Sequence, residues 1–361
     1  MLKGQMTDTD KKELPLSEAV EVSKMFSTRT GLYSRSGKQR YVRAVDRASL
    51  SIDVAETIGL VGESGCGKST FGRLLIRLET PTDGIVRFDG EDISTIRGGR
   101  LRKKRKQMQM IFQDPATSLN PRFTVKETLS EAIRAHRGRV SNRQLNGHIA
   151  VLLNMVGLPL SSLGRQPREF SGGERQRIAI ARALAVEPRF IIADEPISSL
   201  DLTSQDHITD LIDNLRRELK VAFLLITHDL EIVRTLCSRV AVMYLGRIVE
   251  VADTDKLFES AAHPYTRALI SSTLSRDPDI KQVLKVLPGD PPSPMEPPGG
   301  CHFHPRCPYA EMQCRLISPE PRETALGHTV RCHFDFTGEK KSAAKVSNPT
   351  KDPNSQQHET A

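Results

Sequence analysis

The chain has 361 residues, 38% of them hydrophobic, with six cysteines, no tryptophan and a formal net charge of +8. That length holds about two domains with tails, and no run approaches the ~20 consecutive apolar residues of a membrane helix. The N-terminus mixes acidic and basic residues without a signal-peptide pattern, so the chain reads as cytosolic and, if it serves a membrane, as a peripheral subunit.

Residues 1–16 are polar and read as a loose N-terminus. Residues 17–258 read as one α/β unit: a strand-rich front from Ala19 to Phe88, a helical insert over roughly 115–170, and a second α/β half running to Ile248. In the front, Thr57-Ile58-Gly59-Leu60-Val61 predicts a buried strand. From Ser69 to Leu78, Phe71, Leu74, Leu75 and Leu78 fall at helical spacing. Between them, Gly62-Glu63-Ser64-Gly65-Cys66-Gly67-Lys68-Ser69-Thr70 fits G-x-x-x-x-G-K-[ST], the phosphate-binding P-loop. Its glycines let successive backbone N–H groups turn inward on an anion. Lys68 suits the β- and γ-phosphates of a nucleotide, and the Ser69 hydroxyl suits Mg²⁺. A strand, a glycine loop and a helix N-terminus are what phosphate binding requires.

The basic run from Arg97 to Lys106 holds much of the charge excess. Nucleic-acid binding is one reading, but no aromatic residues interleave and no base-reading module is present. A solvated helix face is the preferred reading, with proximity to anionic lipid headgroups as the alternative.

Ser171-Gly172-Gly173-Glu174-Arg175-Gln176 opens a helical stretch through Leu184. Phe190-Ile191-Ile192-Ala193 then predicts a buried strand that delivers Asp194 and Glu195 at its C-terminal edge. Asp194 is placed to hold Mg²⁺ and Glu195 to polarise an attacking water. A further apolar strand, Ala222 to Ile226, ends in Thr227-His228-Asp229, where His228 reads as a γ-phosphate contact. Tyr41 or Tyr33 is a candidate platform for adenine, with a surface or packing tyrosine as the alternative.

Residues 259–336 do not repeat the preceding unit. A short helix is predicted from Ala262 to Leu269, and the proline-dense stretch Leu287 to Pro298 suits an extended connector. Four of the six cysteines crowd here: Cys301, Cys307, Cys314 and Cys332. Cys66 in the loop and Cys237 in a helical stretch read as ordinary small residues. A cytosolic chain should not carry structural disulfides, so four neighbouring thiols argue for a metal. His302, His304, His328 and His333 are further possible ligands, with bystanders flanking a site as the more common reading of such histidines. Chemistry alone leaves zinc and an iron–sulfur cluster open. Residues 337–361 are polar without periodicity and read as disordered.

In number and order these motifs resemble the nucleotide-binding subunits of ABC transporters. The resemblance implies an ABC ATPase fold: a P-loop NTPase with a RecA-like core, a helical signature subdomain and here a small cysteine-containing C-terminal extension. It makes Gly62–Ser69 the Walker A motif, and Gln113 in Ile111-Phe112-Gln113-Asp114-Pro115 the Q-loop residue, catalytic and a ligand to Mg²⁺. Ser171-Gly172-Gly173-Glu174 becomes the signature, with Glu174 where Gln is usual. Asp194 and Glu195 belong to Walker B, Ser199-Leu200-Asp201 is the D-loop, and His228 is the switch histidine. It also implies a head-to-tail dimer in which Ser171, Gly172, Gly173 and Asp201 close over the nucleotide held by the other subunit.

Gly300-Cys301-His302-Phe303-His304-Pro305-Arg306-Cys307-Pro308 with Cys314 and Cys332, Ser118-Leu119-Asn120-Pro121, and Met243 to Glu250 resemble the oligopeptide and dipeptide importer subfamily. That resemblance implies a four-cysteine [4Fe–4S] cluster, with zinc as the alternative, outside the nucleotide site. It implies two transmembrane permease subunits, a second ATPase subunit (a copy or a paralogue), an extracytoplasmic solute-binding protein acting indirectly, and no nucleic acid. The solute is expected to be a peptide, with nickel, glutathione or oligosaccharide as alternatives. A soluble ABC ATPase acting on nucleic acid or ribosomes is the rival of a different class, but no coiled coil, zinc hook or second ATPase domain is visible. A metal-binding regulatory protein using ATP as a signal is a third reading, disfavoured by an intact Glu195 and His228.

Overall fold

The computed structural model describes residues 14–28, 40–272, 287, 289–325 and 327–336. The loose N-terminus, Tyr33 and the polar tail lie outside or largely outside those residues. In chain order the strands are β1 Ser17–Thr28, β2 Arg40–Ile52, β3 Thr57–Val61, β4 Asp83–Phe88, β5 Glu91–Asp92, β6 Met108–Ile111, β7 Phe190–Asp194, β8 Ala222–Ile226, β9 Arg239–Tyr244, β10 Arg247–Asp253, β11 Arg322–Ala325 and β12 His328–Val330. Among the described residues they form two sheets, one ordered β2-β1-β4-β5 and one ordered β11-β12-β10-β9-β3-β8-β7-β6. In the larger sheet β6, β7, β8, β3 and β9 run parallel.

The parallel strands are predominantly apolar because both of their faces are covered. Phe190 and Ile192 of β7, Leu224 and Ile226 of β8, and Ile58 and Leu60 of β3 face a core shared with the smaller sheet and with Phe71, Leu74 and Leu75 of the helix Lys68–Leu75. Ile191, Ala193, Phe223 and Leu225 face the other way, into a core built with the helices Val125–Arg137, Asn142–Met155, Gly172–Leu184 and Leu202–Leu219. The short helix Pro115–Ser118 and two 3-10 turns complete that helical side. Fully burying each large aliphatic chain contributes about 1.5–3 kcal/mol, so this two-sided core is the main source of stability.

Register fixes what lies where. Leu60 and Asp194 both pair with Ile226, and Ile111 pairs with Ala193. The loop after β3, the carboxylates closing β7, the Thr227-His228 end of β8 and Gln113 after β6 therefore leave the same edge of the sheet. In open α/β sheets that carboxyl edge is where ligands bind.

The helix Gly98–Arg105 buries none of its residues, as expected for a solvated basic face. Cys237 is not helical: it follows the helix Leu230–Leu236 in extended conformation, because the chain must turn into β9. The predicted short helix is seen as Pro264–Ser272, and 289–298 carry neither helix nor strand. The extension is not a separate lobe. Strand β12 pairs with β10 and β11 with β12, which lengthens the main sheet, while Tyr265 and Phe303 enter the helix-side core. Glu250 of β10 ties the parts together. Its buried carboxylate accepts from the N–H groups of Ala262 and His263 at 2.6 and 2.9 Å and pairs with His328 Nε2 at 2.8 Å.

Candidate nucleotide site

The phosphate loop has the backbone its sequence demands. Gly62 and Gly67 sit at φ of 153° and 108°, and a Cβ there would lie 2.2 Å from the Met243 carbonyl oxygen and 2.1 Å from that of Ala44. Both left-handed backbone and close approach require glycine at these two positions. Lys68 is buried, and its Nζ donates to the carbonyls of Gly62 and Glu63 at 2.8 and 2.9 Å, folding back over the loop. Ser64 and Gly65 lie in the turn, and Ser69 and Thr70 in the helix that follows. Cys66 is buried with its Sγ 3.9 Å from Lys68 Nζ; burial raises its thiol pKa, so it stays a neutral small residue.

At the strand edge, the Ser69 hydroxyl donates to Asp194 Oδ1 at 2.8 Å. Asp194 is 2% exposed, and burial raises its pKa against the lowering effect of that hydrogen bond. The two oxygens are hard donors suited to Mg²⁺, and a divalent cation would offset the buried charge. Glu195 takes φ of 46°, a left-handed backbone costing on the order of 1–3 kcal/mol for a non-glycine residue. Such strain persists where the surroundings enforce it. Here the Glu195 N–H donates to the Ile226 carbonyl at 2.8 Å and the carboxylate is held between two side chains. Gln113 Nε2 donates to Glu195 Oε2 at 2.9 Å, and the exposed His228 has Nδ1 3.6 Å from Glu195 Oε1. Gln113, Asp194, Glu195, His228 and Ser69 thus form one constellation.

Ser171 is the N-cap of the helix Gly172–Leu184. Its Oγ accepts from the Glu174 N–H at 3.3 Å, and its own N–H donates to Glu174 Oε2 at 2.8 Å. This reciprocal capping box explains why Glu serves in place of Gln. That N–H, and behind burial's opposing effect the Ser171 hydroxyl, holds the Glu174 pKa low. Gly172 and Gly173 are packed by Leu200 and Ser204, while Asp201 caps the helix Leu202–Leu219 by accepting from the Ser204 N–H at 3.0 Å. Signature and D-loop are therefore one packed unit. Tyr41 is 48% exposed on β2, three residues before the Ala44 carbonyl that abuts Gly67.

The four extension cysteines share one electrostatic neighbourhood: Cys301 and Cys307 each feel Cys332 and Cys314. Burial pushes the Cys301 thiol up to about 11 and Cys307 to about 12. Among the described residues, however, no three His, Cys, Asp or Glu side chains are grouped closely enough to hold a metal ion. The histidines are engaged elsewhere. His328 pairs with Glu250, His302 Nδ1 lies 3.3 Å from the Leu245 carbonyl, His304 Nδ1 lies 3.0 Å from that of Cys301 and His333 Nε2 lies 2.9 Å from that of Ile317.

The extension does not lie outside the nucleotide site. Arg306 Nη1 and Nη2 donate to Glu63 Oε2 and Oε1 at 2.7 and 3.0 Å, and the Glu63 N–H donates to the Tyr265 hydroxyl at 2.9 Å. Neither residue is visible as a site residue in the sequence. They stand 243 and 202 positions from Glu63 and belong to no phosphate motif.

A family model described as ABC transporter matches residues 45–198, and one described as oligopeptide/dipeptide transporter, C-terminal region, matches 249–314. The oligopeptide transport ATP-binding protein AppF of Bacillus subtilis is 47% identical over 320 residues, covering 88% of this chain and 96% of that protein. A Brucella ovis protein named "Putative peptide import ATP-binding protein" is 42% identical over 323 residues, covering 90% and 99%. Among solved structures, the dimeric ATP-binding cassette MJ0796 in a post-hydrolysis state bound to ADP and Pi superposes with a TM-score of 0.58 at 28% identity, covering 66% of this chain and 98% of that one. CbiO1 of Clostridium perfringens, part of an ABC transporter complex, gives 0.58 at 26% identity, covering 68% and 92%. No helix among the described residues is long and apolar enough to cross a membrane. The chain belongs to the ABC transporter family as an ATPase carrying the oligopeptide/dipeptide transporter C-terminal region.

Proposed function

We propose that this chain hydrolyses ATP to power import of peptides through a membrane permease, docked at the cytoplasmic face. The observation that carries the reading is the convergence of Ser69, Asp194, Gln113, Glu195 and His228 at one edge of the sheet beside the phosphate loop. Lys68 and the N–H groups of the Gly62–Thr70 loop other than those of Glu63 and Cys66 bind the β- and γ-phosphates. Ser69, Asp194 and Gln113 are the Mg²⁺ ligands; the ion, when bound, neutralises charge on those phosphates. Glu195 orients and deprotonates the attacking water, and His228 contacts the γ-phosphate. Tyr41 stacks on adenine.

Ser171, Gly172, Gly173 and Asp201 serve the nucleotide of a second ATPase subunit packed head to tail. The signature helix N-terminus, already ordered by its capping box, presents N–H groups to that γ-phosphate. ATP then favours the closed dimer and hydrolysis releases it, a ligand-biased two-state switch. Two permease subunits receive the motion, and a solute-binding protein delivers cargo to them. For Cys301, Cys307, Cys314 and Cys332 the reading is a [4Fe–4S] cluster, or alternatively zinc, although in this structure no three of these side chains are grouped closely enough to hold it. Soft sulfur donors gathered on one extension support this reading, and zinc and iron content of anaerobically purified protein tests it.

Peptide as the solute rests on relatives whose names specify oligopeptide transport or peptide import. The test is ATP hydrolysis by the assembled transporter with its binding protein, challenged in turn with oligopeptides, dipeptides, glutathione, nickel and oligosaccharides. Stimulation by peptides supports the reading, and stimulation by another solute alone replaces it.

A further inference from the structure

Glu63 places a carboxylate inside the loop that must receive a highly charged anion. Left alone, that carboxylate would oppose phosphate binding, since like charges held close together cost free energy. It is not left alone. Arg306, 6% exposed, meets it with both terminal nitrogens in a fork-on-carboxylate pair. On the backbone side, the Glu63 N–H is fixed by Tyr265 and the Glu63 carbonyl by Lys68 Nζ. Tyr265 is itself immobilised, its ring 4.7 Å from Tyr244 and 5.5 Å from Phe303. Phe303 stands three residues before Arg306, in the segment that also carries Cys301 and Cys307. One loop residue is thus held at three points, two of them from beyond residue 260.

We propose that Arg306 is a positioning residue for ATP. It cancels the Glu63 charge and, with Tyr265, sets the shape of the phosphate loop, so that the C-terminal extension sets nucleotide affinity. The proposal rests on the reading of residues 62–69 as the ATP phosphate loop. It predicts a specific asymmetry. Removing Arg306 alone exposes ATP to an uncompensated carboxylate; removing Glu63 as well takes the repulsion away.

The test is an ATP–Mg²⁺ binding titration on the purified full-length chain, paired with KM and kcat for hydrolysis. Arg306→Gln is expected to weaken ATP binding and raise KM by roughly 10-fold, with kcat at saturating ATP within about twofold. The double variant Glu63→Gln/Arg306→Gln is expected to recover to within about threefold of the parent, and Arg306→Lys to fall between parent and Arg306→Gln because it keeps the charge without the fork. Tyr265→Phe, which removes only the acceptor for the Glu63 N–H, is expected to weaken binding by a few-fold. Should Arg306→Gln fail to fold, the double variant and Tyr265→Phe carry the test. Lys68→Ala runs alongside. If Lys68→Ala loses ATP while Arg306→Gln binds as the parent does, the proposal is overturned and the loop reading stands. A double variant as weak as Arg306→Gln also overturns it, because the defect would then be general loosening. If Lys68→Ala itself keeps full affinity, the loop reading fails and the proposal falls with it.

Discussion

Gln113 Nε2 donates to Glu195 Oε2 at 2.9 Å, joining a residue two positions past β6 to the carboxylate that follows β7. The strands are parallel neighbours in register, so the pair is set by the sheet and not by loop chance. The helical segment after Gln113 is therefore linked to the Glu195 carboxylate without an intervening element. The segment from Pro115 to Ser118 begins two residues later, capped by Asp114, whose side chain accepts from the Ala116 N–H at 2.8 Å.

Lys68→Ala is expected to lower ATP affinity by on the order of 10-fold or more, with turnover falling too, because it removes a buried cation from the phosphate position. The same change frees the carbonyls of Gly62 and Glu63 that Nζ now bridges, so the loop itself loosens. Isothermal titration with ATP–Mg²⁺ measures this directly. Unchanged affinity would contradict the phosphate-loop assignment.

Ser171→Arg is expected to spare ATP binding by the isolated subunit and to block ATP-driven dimerisation. Loss of the cap also costs about 1 kcal/mol of helix stability, which thermal melting reads separately. Sizing chromatography with ATP in a Glu195→Gln background gives the dimer fraction. A dimer that forms as in the parent would refute the shared-site arrangement.

Stability is expected to decline in mild acid through His263. This side chain is buried at the start of the helix Pro264–Ser272, where Nδ1 accepts from the Tyr265 N–H at 3.0 Å. Burial lowers its pKa to about 4 from 6.5, with the Glu250 carboxylate opposing only in part. The unfolded chain thus takes up the proton first, so stability is undiminished above pH 6.5 and falls as pH drops toward 4. The loss amounts to on the order of 3 kcal/mol over that window. Asn can cap the same N–H without titrating. Denaturant unfolding of His263→Asn at pH 7.5 and 5 should show a shallower pH dependence than the parent, and an identical slope would exclude His263 as the source.

On the proposed [4Fe–4S] reading, anaerobic protein is brown and changing Cys301, Cys307, Cys314 or Cys332 to Ser is expected to bleach it. A cubane cluster requires about four irons per chain and absorbs broadly near roughly 400 nm. One zinc and no iron would substitute a zinc site, and neither metal would leave no ligand role for the thiols. Because Arg306 lies beside Cys307 and grips Glu63, Cys307→Ser should weaken ATP binding as well as assembly with the permease.

The nucleotide site was legible because its parts are local. A strand, a glycine loop and Lys68-Ser69 lie within a dozen residues, and Asp194-Glu195 closes an apolar run whose direction a parallel sheet fixes. The attachment of the extension was not legible. β11 and β12 are four and three residues long and mostly polar, Arg-Glu-Thr-Ala and His-Thr-Val, so no period identifies them. Glu250 reads as one more polar residue in a strand until His328 and the Ala262-His263 turn close on it. Arg306 and Tyr265 carry no mark of a nucleotide-site role in sequence, since what defines that role is a contact with Glu63 across more than 200 residues. Sequence left His302, His304, His328 and His333 open between ligands and bystanders, and the fold gives each of the four another partner.

ATP-driven peptide import by this chain is tested most directly by uptake of a labelled oligopeptide into proteoliposomes containing the complete transporter, with ATP trapped inside and the solute-binding protein outside. The parent should accumulate peptide with ATP and not with a non-hydrolysable analogue. Glu195→Gln should still bind ATP but accumulate at least ~100-fold less, since it keeps the fold and the Gln113 contact region while removing the base. Accumulation by Glu195→Gln at the parental rate, or no ATP-dependent accumulation of any peptide by the parent, would contradict it.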